Sequence, residues 1–177
     1  FKKFSTAPII DLSDKEPYGM ASPFVLREKN GLWKMWYASY RYWEMRNKEA
    51  WPHYEIRYAH SKNGINWKIK GIKCIGAKNV EAVARPWVVK KNDLYHMWYS
   101  YRPKYKKYRI GYATSRTGIK WKIENDKSGI KTSKKGWDSK MLAYPCVFQF
   151  RGKKYLLYNG NNYGYDGIGL AEETTKK

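Results

Sequence analysis

Apolar residues along this chain fall into short runs, and the runs recur in the same order three times. Pro23-Phe24-Val25-Leu26 is followed by Leu32-Trp33-Lys34-Met35-Trp36-Tyr37. Pro86-Trp87-Val88-Val89 is followed by Leu94-Tyr95-His96-Met97-Trp98-Tyr99, and Pro145-Cys146-Val147-Phe148 by Lys154-Tyr155-Leu156-Leu157-Tyr158. The three prolines stand 63 residues (23 to 86) and 59 residues (86 to 145) apart. Each unit has a second half. Residues 54–61 lead into Asn63-Gly64-Ile65-Asn66-Trp67, and residues 108–115 into Thr117-Gly118-Ile119-Lys120-Trp121, while the third unit keeps Gly167-Ile168-Gly169-Leu170-Ala171. The runs are aromatic and β-branched and are bounded by Gly, Asn, Asp or Pro, which predicts strands. Asn30-Gly31, Asn92-Asp93 and Arg151-Gly152 part the first two runs of each unit, and such pairs accept the positive φ of a tight hairpin. No stretch holds a 3.6-residue apolar period, so no helix of note is expected.

The pattern predicts four antiparallel strands per unit. The second strand does not alternate: Met35-Trp36-Tyr37-Ala38 and Met97-Trp98-Tyr99 are apolar on both faces, as in a sheet sandwiched between two others. A period of this length marks a unit that cannot bury its own apolar faces and stacks on its neighbours. Four-stranded sheets stacked around an axis form a β-propeller. The expected fold is an all-β propeller in one domain spanning residues 1–177. Its units lie at about 18–70, 80–124 and 138–174, with residues 1–12 as the remnant of a preceding unit. A duplicated β-sandwich is the alternative; repetition over both halves of the unit favours the propeller.

Composition adds three points. Aromatics are 18% of the 177 residues, which suits units that bury large rings between sheets. Trp67 and Trp121 hold equivalent fourth-strand positions and read as packing residues before ligand platforms. The formal charge of +21 favours anionic partners: an acidic glycan, a phosphorylated sugar, nucleic acid or an anionic membrane surface. Lysines beside hairpins, such as Lys34, Lys90 and Lys154, also deter edge pairing, so the charge has a structural reading too. Cys74 and Cys146 lack CxxC neighbours, and His53, His60 and His96 are scattered. This predicts no metal site, no disulfide framework and no histidine triad, and no cofactor is expected. No apolar run approaches the ~20 residues of a membrane span. Unpaired cysteines make the cytoplasm the default compartment, with secretion left open because the sequence opens on Phe1 rather than Met.

In a propeller the chemistry lies at the central channel, near the start of each innermost strand. Here that is the segment before each proline. Glu16 and Asp138 each stand seven residues before their proline, and Tyr18, Glu81 and Lys140 five residues before theirs. Equivalent places in a repeated backbone thus carry different polar groups, whereas packing alone would keep them alike.

The patterns Glu81-x-x-Ala84-Arg85-Pro86, Met97-Trp98-Tyr99-Ser100-Tyr101-Arg102, Trp137-Asp138-Ser139-x-Met141 and Tyr158-Asn159-Gly160-Asn161-x-Tyr163-Gly164 carry a resemblance. Over nearly the whole chain they resemble the five-bladed propeller superfamily of arabinanases, levansucrases and invertases, and most closely relatives of glycoside hydrolase family 43. The resemblance implies a five-bladed ring of about 300 residues, of which this chain supplies about three blades. Self-association completing the ring is one expectation. It also implies three carboxylates from successive blades, acting as base or nucleophile, acid, and tuner of the acid. Glycoside cleavage needs two of them about 5–10 Å apart. Glu81, whose neighbours Val80, Ala82 and Val83 are apolar, is the expected acid, and Asp138 the base or orienting group. An ion pair of Glu81 with Arg85 or Lys140 is the competing structural role. Those relatives carry Glu where this chain has Lys140. Arg85, Arg102, Lys140, Asn159 and Asn161 are expected to contact a saccharide, and Tyr144, Tyr163 and Trp87 to stack on it. The alternative function is a non-catalytic module that binds an anionic glycan or nucleic acid.

Overall fold

The computed structural model of the protein describes residues 1–76 and 80–174. Strands β1 (Met20–Arg27), β2 (Trp33–Arg46), β3 (Glu49–Ser61) and β4 (Trp67–Ile75) form the first unit. The second unit is β5 (Val80–Lys91), β6 (Leu94–Pro103), β7 (Arg109–Ser115) and β8 (Lys122–Ile123), and the third is β9 (Ala143–Phe150), β10 (Lys153–Asn159) and β11 (Ile168–Glu172). Single turns of 3-10 helix at residues 125–127 and 162–164 are the helical segments among the described residues. Within each unit consecutive strands pair antiparallel. The turns behave as their sequences demand: Asn92 and Asp93 take φ of 48° and 57°, and Arg151 and Gly152 take 48° and 77°.

One expectation needs correction. A single parallel bridge, Tyr54 to Ala82, joins β3 to β5, so the first two units run together as one eight-stranded sheet rather than two separate four-stranded ones. The third unit is a separate three-stranded sheet, and no sheet closes on itself among the described residues. The bridge joins the start of β5 to the middle of β3.

Each proline marks the same irregularity. Ser22, Arg85 and Tyr144 immediately precede Pro23, Pro86 and Pro145, and all three adopt positive φ, at 52°, 52° and 57°. The pairing register slips at these points, between Ala21 and Phe24, between Ala84 and Trp87, and opposite Leu157 and Asn159. A residue driven into the left-handed region beside a register slip is a β-bulge, which bends the strand and re-aims a side chain. Three equivalent strands therefore carry three equivalent bulges.

Packing between units uses the residues that are apolar on both strand faces. Trp36 is fully buried and sits with Tyr58, Tyr95, Met97, Tyr99 and Ala113, uniting the first two units. Its indole N–H donates to the Gly118 carbonyl of the second unit at 2.7 Å. Trp98, one repeat later, packs with Ile110, Leu142, Val147, Leu156 and Tyr158, which unites the second and third. Trp67 and Trp121 donate to the carbonyls of Gly64 and Gly118 at 3.1 and 3.0 Å, so both pin their own preceding turn.

The buried tyrosines give the chain an alkaline limit. Burial, then neighbouring Tyr95, pushes the Tyr58 hydroxyl up to about 12. Burial, then the hydrogen bond to Asp138, does the same for Tyr158, also to about 12. A tyrosine held above its unfolded value, about 10, binds its proton more tightly when folded. Its contribution is full below about pH 10 and is lost as pH rises through 12. Absorbance of tyrosinate near 295 nm should thus rise in two phases. The second phase, that of buried Tyr58 and Tyr158, coincides with loss of the near-UV circular dichroism signal. A single phase near pH 10 with the fold intact would contradict this.

Candidate functional site

The three bulges converge on one cavity of about 200 Å3, lined by Ser22, Arg85 and Tyr144 with the prolines and the residues that follow them. The prolines of the three units thus meet at a common centre, which is the axis of the repeat. The cavity lining contains no carboxylate. Arg85 is exposed and its guanidinium lies over the Tyr144 ring, 4.8 Å from the centroid. The Tyr144 N–H donates to Ser100 Oγ at 2.8 Å, which fixes the bulge.

A belt of tyrosines leads away from this centre. Tyr40 packs on Tyr54 with centroids 5.0 Å apart, and the Tyr54 hydroxyl bonds that of Tyr108. Tyr108 meets Tyr163 edge-on at 6.0 Å, and Tyr163 stacks near Tyr144 at 6.5 Å. Tyr163 is half exposed. Burial raises the Tyr54 and Tyr108 hydroxyls above their ordinary values.

Glu81 is buried at the edge of this belt. Arg46 Nη1 lies 2.7 Å from its Oε1 and Arg102 Nε 3.3 Å from its Oε2, and the Tyr105 N–H donates to Oε1 at 3.2 Å. Arg46 is delivered by the long β2–β3 hairpin of the first unit, which reaches over the second. The same hairpin supplies the Pro52 carbonyl that accepts from Arg102 and the Trp51 ring beneath its guanidinium, at 2.8 and 4.9 Å. Arg46 also pairs with Glu44 and holds that carboxyl down at about 2. The expected partners of Glu81, Arg85 and Lys140, are replaced by Arg46 and Arg102. The reason is reach: Arg85 is turned toward the axis by its bulge, whereas the hairpin brings Arg46 directly onto the carboxylate.

Asp138 belongs to a different network. It is buried and accepts from the Tyr158 hydroxyl at 3.0 Å. Tyr158 is the residue after Leu157, which faces Cys146, just as Tyr37 follows Trp36 opposite Phe24. Tyr37 donates to Glu16 at 2.8 Å, so Glu16 and Asp138 share a place and a tyrosine partner. Tyr99, the equivalent in the second unit, donates to Asn125 at 2.7 Å. Glu16 is fully buried and is further bound by Ser39 and by Arg57 at 3.1 Å.

Asn161 and Asn159 serve the backbone. Asn161 accepts from the N–H groups of Lys140 and Met141, at 2.8 and 3.0 Å, and donates to Gly136 at 3.1 Å. It therefore clamps the turn that carries Asp138. Asn159 donates to the Tyr163 carbonyl at 2.8 Å. The Lys140 side chain is exposed, and its carbonyl accepts from Arg109 at 2.7 Å. The structure thus brings together Glu81 with Arg102, Arg85 with Tyr144, and Lys140 with Asn161 through the main chain. It does not gather Glu81, Arg85, Asp138 and Lys140 into one pocket. Sequence reasoning missed Arg46, Tyr105 and Glu55. Glu55 and Glu81 line one polar cavity of about 290 Å3 with Arg41, His53 and Tyr54. The one available signal was the length of the 33–61 hairpin against its counterpart at 94–115. Among the described residues no cluster fit for a metal ion occurs.

The class of fold follows from comparison with solved structures. A glycoside hydrolase superposes with a TM-score of 0.73 at 19% identity, over 96% of this chain and 51% of its own. Zg3597, a family 117 glycoside hydrolase from the marine bacterium Zobellia galactanivorans, gives 0.74 at 21%, over 92% and 55%. A thermostable family-43 glycoside hydrolase gives 0.70 at 15%, over 96% and 58%. The chain shares the fold of these glycoside hydrolases. In sequence it is similar to the uncharacterized proteins Rv1502 and MT1551 of Mycobacterium tuberculosis, strains H37Rv and CDC 1551, at 39% identity over 174 residues. The match takes in 97% of this chain, which spans 56% of the length of either relative. No protein-family model matches the sequence.

Proposed function

We propose that the chain acts on a saccharide as part of a glycoside hydrolase-type propeller, with the sugar held at the axial mouth. The observation that carries this is the belt of tyrosines from all three units that leads to the bulge cavity, where Tyr144 meets Arg85. Aromatic faces and hydroxyls are the surfaces on which sugar rings stack and bond. The likeness in fold to glycoside hydrolases supports the same reading.

Glu81 is the carboxylate we assign to chemistry, since it borders an open polar cavity beside the belt. Asp138 remains part of the proposed site only as an orienting group: its carboxyl is held by Tyr158 beneath the turn that Asn161 clamps. The variant Tyr163→Ala should weaken oligosaccharide binding about 2- to 10-fold, the worth of one aromatic stacking contact. The thermal midpoint should stay constant, because the ring is half exposed. Calorimetric titration of both proteins against arabino-, xylo- and galacto-oligosaccharides measures this; unchanged affinity in the variant would remove the belt from the site.

The outer faces of the first and third units carry a second proposal, that copies of the chain associate through them. The first presents an apolar hollow of about 500 Å3 lined by residues including Ile9, Leu12, Val25 and Trp67. The third leaves Phe148, Ile168 and Leu170 exposed. Burial of several hundred Å2 at about 25 cal/mol/Å2 gives a gross drive on the order of 10 kcal/mol before ordering terms. Sedimentation velocity should show mass rising with concentration; a monomer at every concentration would count against it.

A further inference from the structure

The arginines at the mouth differ in how they are used. Arg46 and Arg102 face Glu81, and Arg57 faces Glu16 and Glu55. Arg41 approaches the same two carboxylates at 3.7 and 3.8 Å, and Arg109 donates to the carbonyls of Tyr108 and Lys140. Arg85 has none of these: its guanidinium meets the Tyr144 ring and no carboxylate among the described residues. A guanidinium laid on an aromatic face is held in orientation while its N–H edge stays available to a second, planar partner. The backbone beneath it is fixed by the bulge and by buried Pro86.

The surroundings select the sign of that partner. The cavity at its foot has no acidic lining, and Phe24 and Trp87 form apolar walls that strengthen charge attraction. The space, about 200 Å3, suits a functional group several times the ~30 Å3 of a water molecule. Ser22 adds a hydroxyl from the equivalent position of the first unit. The net charge of +21 adds a long-range field of the same sign.

We propose that Arg85 and the axial cavity bind an anionic group carried by the saccharide, a carboxylate or a sulfate ester, so that the ligand class is an acidic sugar. This rests on the saccharide reading above. The test is a glycan array bearing neutral, uronate-containing and sulfated oligosaccharides on matched backbones, probed with the 177-residue chain and followed by calorimetry of the matched pairs. Acidic members should bind about 10- to 100-fold more tightly than their neutral counterparts, as expected for a charge-assisted bidentate contact. The uronate and sulfate arms identify which anion is preferred. Arg85→Gln should bring the acidic member down to the affinity of the neutral one without moving the thermal midpoint, and Arg85→Lys should restore part of the difference. Equal affinity for neutral and acidic members overturns the anion assignment and leaves the saccharide reading standing. A preference for acidic members that survives Arg85→Gln also overturns it, assigning the effect to overall charge. An array on which nothing binds overturns both readings.

Discussion

Replacing Glu81 with alanine should destabilise the chain by about 3–5 kcal/mol, because it leaves Arg102 as a buried cation with no counter-charge and Arg46 with Glu44 as its remaining partner. The Glu81 and Arg102 side chains are 3% and 6% exposed, so water cannot take over the lost interaction. Arg102 would keep the Pro52 carbonyl and the Trp51 face, while the Tyr105 N–H loses its acceptor. Urea denaturation monitored by tryptophan fluorescence would report the change. A loss below about 1 kcal/mol would show that the cluster is no tighter than an exposed pair. The same residue separates anchoring from chemistry. Glu81→Gln keeps the shape and one acceptor oxygen. If the carboxylate takes part in proton transfer, turnover of the matching glycoside should fall about 10²–10⁴-fold while binding changes little. Asp138→Asn should leave turnover within a few fold, since its partner is Tyr158. Equal losses in the two variants would refute this division of roles.

Trp36→Ala should destabilise by a comparable amount, about 3–5 kcal/mol. The indole is fully buried between the first two units and contacts Tyr58, Tyr95 and Trp121 with centroids near 6 Å. Its removal opens a cavity at the unit junction and takes one of two indole donors from the Gly118 carbonyl, leaving Trp121. Neighbouring strands cannot collapse into the space, because Gly118 is already in close packing with the ring and in a left-handed turn at φ 77°. Trp36→Phe should recover a large part of the loss. A thermal shift of only a degree or two for the alanine variant would contradict the view that these faces form the core.

What could be read from the sequence was what repeats. The proline period located three bulges that share one φ sign and one cavity, and the Asn-Gly-type pairs located the hairpins. The doubly apolar Met-Trp-Tyr runs proved to be the residues that bury between units. What could not be read was what a single copy adds. Arg46 reaches Glu81 across 35 residues, from 46 to 81, through a hairpin longer than its counterpart in either later unit, and no spacing rule encodes such a contact. The position of Glu81 was legible, but its partners were not. Asp138 illustrates a signal present and unread. It shares its offset with Glu16, and each of their units carries a tyrosine at the matching second-strand position, so a repeated Tyr–carboxylate bond was available as a structural explanation. The parallel bridge between Tyr54 and Ala82 was likewise beyond a pattern that treats units as separate sheets.

The measurement that bears most directly on the axial mouth is a crystal structure of the chain with an oligosaccharide that binds it. The expected result is a sugar ring packed on Tyr144 or Tyr163, with an anionic substituent within hydrogen-bond distance of Arg85 and the glycosidic linkage facing the Glu81 cavity. A sugar bound on the outer strands of a unit, with the axial cavity empty, would contradict the account.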